Sequence, residues 1–599
     1  MTDRTPETPG AAGWKHGQCG WIRGTALRSA AVLAVLAAAT AAMAAGGPKP
    51  QLKPAFGPNV LVFRPQMKAA EMQAQIDRVY REQQHSEFGS GRYALLFLPG
   101  EYHVDVPVGF YTQVLGLGAT PDAVHITGNV HADASARNNN ATTTFWRAAE
   151  GFSVTPTGGT MQWAVSQAVP FRRMHVRGSM VLHQQHGWAS GGWMADTLVD
   201  GNVDSGTQQQ WIARNSAWGS WTGANWNMVF VGVPQPPAGE WPKPPYTKVD
   251  TTPIVREKPF LTVDAKGRWS VRLPALRTDS AGITWQGGST PGRSIALSRF
   301  YIARPDRDTA ASINAQLARG KHLLLMPGIY DLTEPIRVTR AGTVVMGLGF
   351  ATLRPVNGTA AMTTADADGI EIAGVLFDAG EQRSPVLLEV GPEGSKGRHA
   401  KNPIVLHDVF FRVGGAGVGR AQVNLRINSS DTLVDHTWIW RADHGKGVGW
   451  TSNTSDNGLV VNGDRVTIYG LFVEHHQQFQ VLWNGNAGRT YFYQSEIPYD
   501  PPDQASYTSA PGTNGWASYK VADAVTSHEA WGLGVYSVFR HPNVVLTRAI
   551  EVPRKPGVRF HHMMTIALDD KGEISNVIDD QGGPTSIQPR TTPRVTEFP

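Results

Sequence analysis

Two glutamates stand out for their surroundings. Glu474 and Glu496 lie 22 residues apart in the stretch GLFVEHHQQFQVLWNGNAGRTYFYQSEIPYDPP, residues 470–502. Each closes a short run of strand-forming residues among His, Gln, Asn, Tyr and Trp. A carboxyl pair in that setting is the equipment for cleaving a glycosidic bond: one group protonates the leaving oxygen, and the other activates water or attacks directly. In a fold built of coils of 20–25 residues, this spacing sets both glutamates on one face of successive coils. Their backbones would be one strand spacing apart, about 4.8 Å. Two like charges that close raise the pKa of one of them, which leaves one acid and one base at neutral pH. The alternative is a pair of surface glutamates matched to Arg489 or Lys520, with Glu529, next to His528 in TSHEAWGLG, as the substitute carboxylate.

The elements that would hold this pair repeat along the chain. Residues 95–118 (LLFLPGEYHVDVPVGFYTQVLGLG) are echoed by residues 323–349 (LLLMPGIYDLTEPIRVTRAGTVVMGLG), and a helical pattern precedes each copy, over 67–83 and 308–319. Short β-rich runs follow in both halves (MHVRGSMVLHQ, IVLHDVFFRVGG, TLVDHTWIWRADH), separated by turns with Gly, Asn or Asp. A repeat of 20–30 residues without helical period predicts stacked coils of a parallel β-helix. A helix ahead of the first coil would cover its open edge. The expected fold is therefore all-β: two tandem parallel β-helices, pectate-lyase-like, with short capping helices. A propeller or a pair of sandwiches is the alternative, but hairpin signals are few. Residues 253–276 read as a hairpin appended between the halves.

The expected boundaries are an export signal over 1–45, a first β-helix with its hairpin over 46–290, a second β-helix carrying the glutamates over 291–575, and a mobile tail over 576–599. The signal rests on the apolar run from Ser29 to Ala45 and the small-x-small pattern Ala42-Met43-Ala44, and it predicts an extracellular or periplasmic protein without lasting membrane association. Cys19 is the one cysteine, so a processed chain would have no disulfide, thiolate metal site or thiol nucleophile. The net charge of +5 is spread along the chain, which argues against nucleic acid as a partner. No metal or other cofactor is expected.

The motif VEHHxxxQ followed by QSExPYDPP resembles glycoside hydrolase family 55, a family of β-1,3-glucanases. The resemblance implies two tandem right-handed β-helices in one chain, which the internal repeat supports independently, and an inverting mechanism. It also implies roles: Glu496 in Gln494-Ser495-Glu496 matches the general acid, and Glu474 in Val473-Glu474-His475-His476 matches the glutamate that helps hold the nucleophilic water. Tyr499-Asp500 departs from the two tyrosines of many members.

Around this pair, Gln480 or Gln494 is expected to orient the water, with Tyr499, Trp483 and His476 as further substrate contacts. The first half contributes six tryptophans between Trp188 and Trp226, interleaved with Gly, Ser, Asn and Gln. Trp218, Trp221 and Gln209 are the candidates there, since an indole stacks on a pyranose and amides bind its hydroxyls. One of the pairs Asp435-His436 and Asp443-His444 is a further candidate for the pocket. The rival functions are a polysaccharide lyase or epimerase on the same fold, and a non-catalytic glycan-binding surface protein.

Overall fold

The structure, a computed structural model, describes residues 54–599. The export segment expected over 1–45 and Cys19 lie outside the described residues. Among those residues, no helix is long and apolar enough to cross a membrane.

The chain winds into two parallel β-helices. In the first, a nine-stranded sheet runs in chain order from Val60–Phe63 to Tyr246–Val249, and an eight-stranded sheet lies beside it. In the second, a twelve-stranded sheet runs from Phe300–Ala303 to Val558–Ala567 and closes on Arg594–Phe598, again beside an eight-stranded sheet. Equivalent residues of successive coils stack in columns. Ile372, Leu406, Val434 and Ile468 form one such column, paired in register and buried in the core.

The sequence repeat is one structural solution used twice. The helices Ala69–Gln83 and Ala310–Ala318 cap the two stacks, burying Met72, Ile76 and Val79 in one case and Ala310, Ile313 and Leu317 in the other. A helix amide satisfies the neighbouring backbone each time: Gln73 bonds the N–H and carbonyl of Asp105, and Asn314 bonds the Arg337 N–H and the Pro335 carbonyl. Gly100 and Gly328 turn the corner at φ of 144° and 150°. A Cβ on either would lie 2.2 Å from Pro65 or 2.4 Å from Pro305, so both corners require glycine.

The hairpin expected over 253–276 is present as Phe260–Val263 paired antiparallel with Trp269–Pro274. Gly292–Ala296 adds a third strand to it, and Thr252–Arg256 pairs with Leu276–Ser280. Residues 576–599 differ from the mobile tail expected. Arg594–Phe598 pairs antiparallel with Val558–Ala567, and Phe598 is buried in the core. That strand gives the last coil a partner for its exposed edge.

The two helices are joined by a seam that is both aromatic and ionic. Trp146, Trp193, Phe410, Trp438 and Phe472 pack across it. Beside them Arg172 binds Asp408 at 2.8 Å and Asp435 at 2.7 Å, and Arg214 binds Glu257 at 2.7 Å and Asp435 at 2.9 Å. Lys258 bridges Glu150 and Asp408, while Arg256 and His407 share Glu371. Burial opposes the charge on Asp408 and Asp435. The flanking cations outweigh it and hold both carboxyls well below the usual range. His407 is raised, because Asp435 and Glu371 outweigh its own burial. With His407 protonated, five cations face the carboxylates of Glu150, Glu257, Glu371, Asp408 and Asp435, and the seam is neutral.

Replacing one member leaves its partners charged and unmatched in the interior. Asp435→Asn is expected to lower the unfolding free energy by about 3–5 kcal/mol, read by denaturant titration at neutral pH. The depressed carboxylates stabilise the fold above their unfolded pKa, near 4, and that stability is lost as pH falls toward their folded values. The wild type should therefore lose stability below about pH 4 more steeply than the variant.

Candidate active site

Three successive strands, Leu433–Arg441, Thr467–Glu474 and Gly488–Glu496, build the site. Their register sets Trp440 beside Glu474 and Glu474 directly beside Glu496, with Tyr536 next in the column. Alternation sends Ile439 and Val473 into the core and turns Trp438, Phe472 and Gln494 outward with the glutamates. Earlier in the central strand, Gly470 takes a left-handed conformation, φ 65°. A Cβ there would meet the Trp193 indole at 2.6 Å, so this glycine lets the first helix approach the coil that carries Glu474.

The two carboxyls have different partners. The Gln167 amide of the first helix donates to Glu474 Oε1 at 2.8 Å, and the Trp438 indole N–H donates to Oε2 at 2.9 Å. Glu496 receives a very short hydrogen bond from the Tyr499 hydroxyl, and His475 Nε2 lies 3.8 Å from its Oε2. Both face a cleft of about 240 Å³ between the helices. The first helix supplies Thr142, Phe145, Gln167, Ser190 and Gln209 to its wall, and the second supplies Trp438, Trp440, Asp443 and His444.

Burial, then the charge on Glu496, pushes Glu474 well above the usual carboxylate range. Burial pushes Glu496 up to about 7, with Asp443 adding to the rise and Tyr499 opposing it. Two carboxyls on adjacent strands share one proton near neutral pH. Both Glu474 oxygens accept N–H groups, which favours a carboxylate there, while its burial and the neighbouring Glu496 oppose it.

The structure gathers Glu474, Glu496, Tyr499 and Gln209 at the cleft. It places other candidates elsewhere. Gln480 is buried in a turn, where its amide bonds both the N–H and the carbonyl of His476. Trp483 packs in the core against Tyr519 and His528. Trp218 and Trp221 pack on Phe230 inside the first helix, so these are core indoles despite their polar neighbours. His476 points inward to Ser455 and the Ile439 carbonyl. His475, in a left-handed bend at φ 66°, reaches the cleft in its place. Gln494 is fully buried one strand over from Phe472 and is not part of the cleft wall, but its side chain lies against Glu474 and lowers that carboxyl's pKa, beside the carboxylate as expected.

Asp443-His444 is the acidic pair at the cleft, while Asp435-His436 belongs to the seam. Asp500, where a tyrosine is common, anchors Arg441 through two bonds of 2.8 Å. Glu529 sits at the far end of its strand, 4.0 Å from Arg489, and Lys520 pairs with Glu551. Gln167, Ser190 and Phe145 escaped the sequence reading; no local motif marks them, and Gln167 is 307 residues from the carboxylate it binds. Among the described residues, no group of three or more His, Cys, Asp or Glu side chains is arranged to hold a metal ion.

A parallel β-helix with a carboxyl pair in an aromatic cleft defines a class, the carbohydrate-active β-helix enzymes. Residues 300–496 match the LAM55 pectate lyase-like domain. The chain is 47% identical over 547 residues to an exo-beta-1,3-glucanase of Streptomyces sp. (strain SirexAA-E / ActE), covering 91% of this chain and 90% of that one. The solved structure of sacteLam55A from Streptomyces sp. SirexAA-E superposes with a TM-score of 0.89 over 91% of this chain and 99% of that one. A variant of that protein in complex with glucose matches equally well, at 47% identity and the same TM-score. The chain belongs to glycoside hydrolase family 55.

The Trp438 N–H is one of the donors that favour a charged Glu474. Trp438→Phe keeps the ring contact with Phe145 and Trp146 but removes that donor. A hydrogen bond to a buried charge contributes about 1.5–3 kcal/mol, so kcat/KM for hydrolysis should fall roughly 10- to 100-fold. An unchanged kcat/KM would remove this indole from the charge-holding role.

Proposed function

We propose that this chain hydrolyses β-1,3-glucan with inversion at the anomeric carbon. The observation that carries hydrolysis is the Glu474–Glu496 pair, held in register on adjacent strands but bonded to different partners; inversion is what the family resemblance implies. Glu496 is the general acid and gives its proton to the departing glycosidic oxygen. Glu474, favoured as a carboxylate by Gln167 and Trp438, takes a proton from a water that attacks the opposite face of the sugar. The Gln209 amide and the Ser190 hydroxyl of the first helix supply further hydrogen-bonding groups at the cleft for that water and the sugar hydroxyls. Trp438 and Trp440, stacked at 4.7 Å and buried, form a rigid apolar backing to the cleft beside the carboxyls. The relative's name supports the linkage and suggests action from chain ends.

The test is product release from soluble β-1,3-glucan, with the newly formed anomer followed by NMR. Wild type should release the inverted α-anomer. Glu496→Gln should lose about 10²- to 10⁴-fold in kcat, the usual contribution of a general acid. Release of the β-anomer would overturn inversion, and no release by the folded protein would overturn the substrate. Because the acid works protonated, kcat/KM should fall on the alkaline side with an apparent pKa of about 7.

We also propose that the protein is exported, a reading supported by the Ser29–Ala45 run and the Ala42-Met43-Ala44 pattern. Mass spectrometry of the secreted chain should find a new N-terminus close to Ala44; a retained Met1 would overturn it.

A further inference from the structure

Outside the carboxyl pair, the cleft contains a second chain of ionisable groups that the reaction as written leaves unused. It starts on the first helix. Glu87 follows the capping helix, holds Arg137 at 2.5 Å, and offers its other oxygen to His444 Nε2 at 2.7 Å. The opposite nitrogen of that ring, Nδ1, lies 2.8 Å from Asp443 Oδ1. The imidazole is thus clasped between two carboxylates and boxed by Phe88, Phe145 and Trp440. Asp443 then faces His475 Nε2 at 3.9 Å, and the same Nε2 lies 3.8 Å from Glu496.

The tautomer of His475 follows from its other nitrogen. Nδ1 lies 3.1 Å from the Ile497 carbonyl oxygen, which can only accept, so Nδ1 carries the hydrogen. In the neutral ring, Nε2 then turns a bare lone pair toward both Asp443 and Glu496. A lone pair and an anion on one side of Glu496 disfavour its carboxylate. A cation at His444 works the other way.

We propose that Asp443, held in place by His444 and through it by Glu87 on the first helix, is a positioning residue that favours the acid form of Glu496, while the His444 cation tempers that effect. The inference rests on Glu496 being the proton donor. The charges around Glu496 support it. His444 is raised to about 10, since its two carboxylate partners outweigh burial, and Asp443 is lowered to about 2, with His444 outweighing its burial. Burial lowers His475 to about 4, which keeps it neutral. Glu474 on the preceding strand and Asp443 favour the acid form of Glu496; the Tyr499 hydroxyl and His444 oppose it. Tyr536, on the following strand, is held un-ionised by burial. Arg540 lies 3.7 Å from Asp443 and binds its backbone carbonyl, and the Arg441–Asp500 pair supports His475 through its carbonyl. This arrangement also makes the acid depend on the first helix, through Glu87.

The two residues of the turn should move the alkaline limb of kcat/KM in opposite directions. Asp443→Asn removes the anion and should shift it down by about one pH unit. His444→Gln removes the cation and should shift it up. A merely structural role would change the rate without opposed shifts. Glu87→Ala frees the His444 ring and should lower kcat about tenfold with little change in KM; Glu87→Gln, which keeps an acceptor, should restore most of it. Should Asp443→Asn fold poorly, the upward shift of His444→Gln decides alone. An activated aryl β-glucoside, whose leaving group needs no proton, separates the two levels. Glu496→Gln should still turn it over, and equal loss on both substrates would overturn the acid assignment itself. If Glu496→Gln behaves as expected and neither turn variant moves the limb, this inference alone falls.

Discussion

The structure depends on the register of stacked parallel strands. In such a stack a residue lies beside its equivalent on the next coil, so like meets like along each column. For apolar columns this is favourable, and Ile372, Leu406, Val434 and Ile468 bury one another. For Glu474 and Glu496 the same rule forces two carboxyls into adjacent positions. No side-chain flexibility relieves that conflict, because the backbone positions are fixed by the ladder above and below. Sharing one proton between the two carboxyls relieves the conflict.

Neither member of the pair would be assigned its state by one β-helix alone. The second helix presents both carboxyls on an outer face, where water would equalise them. The first helix covers that face, excludes water, and contributes Gln167 to one carboxyl only. Asymmetry in hydrogen bonding turns two similar groups into distinct ones. The ionic seam has a direct part in this: Arg172 and Arg214 reach Asp408 and Asp435 on strands of the same sheet that presents the glutamates. Buried charges are costly unless matched, so the seam admits few alternative alignments of the two stacks.

What was legible in the sequence followed from periodicity and local motifs. The coil length placed Glu474 beside Glu496, and the Pro-Gly and Gly-Leu-Gly echoes exposed the duplication because both corners need glycine at the same place. The misplacements have a common physical origin. In an indole-rich coil, polarity of the neighbours along the chain says little about the direction of the side chain, so Trp218 and Trp221 read as a sugar platform when they are core. At His475-His476, a left-handed bend sits between strand and turn, and it decides which imidazole faces the cleft. Gln480, a plausible water holder by its distance in sequence, is consumed by a turn. Gln167 was invisible because its role exists only across the seam.

The seam also bears on why such a chain contains two β-helices. A single stack has a convex outer face, and a carboxyl on it is solvated on most sides. Two stacks side by side create a groove, walled on the first helix by the short connections between its strands. One wall then carries Glu474 and Glu496 at the ends of strands, and the other carries amides and hydroxyls on the short connections between strands. Groups held this way lose little freedom when a sugar binds, and preorganised donors need not rearrange as charge develops. One coil architecture used twice supplies both requirements, with Gln167 and Ser190 of the first helix facing Glu474 and Glu496 of the second across the cleft.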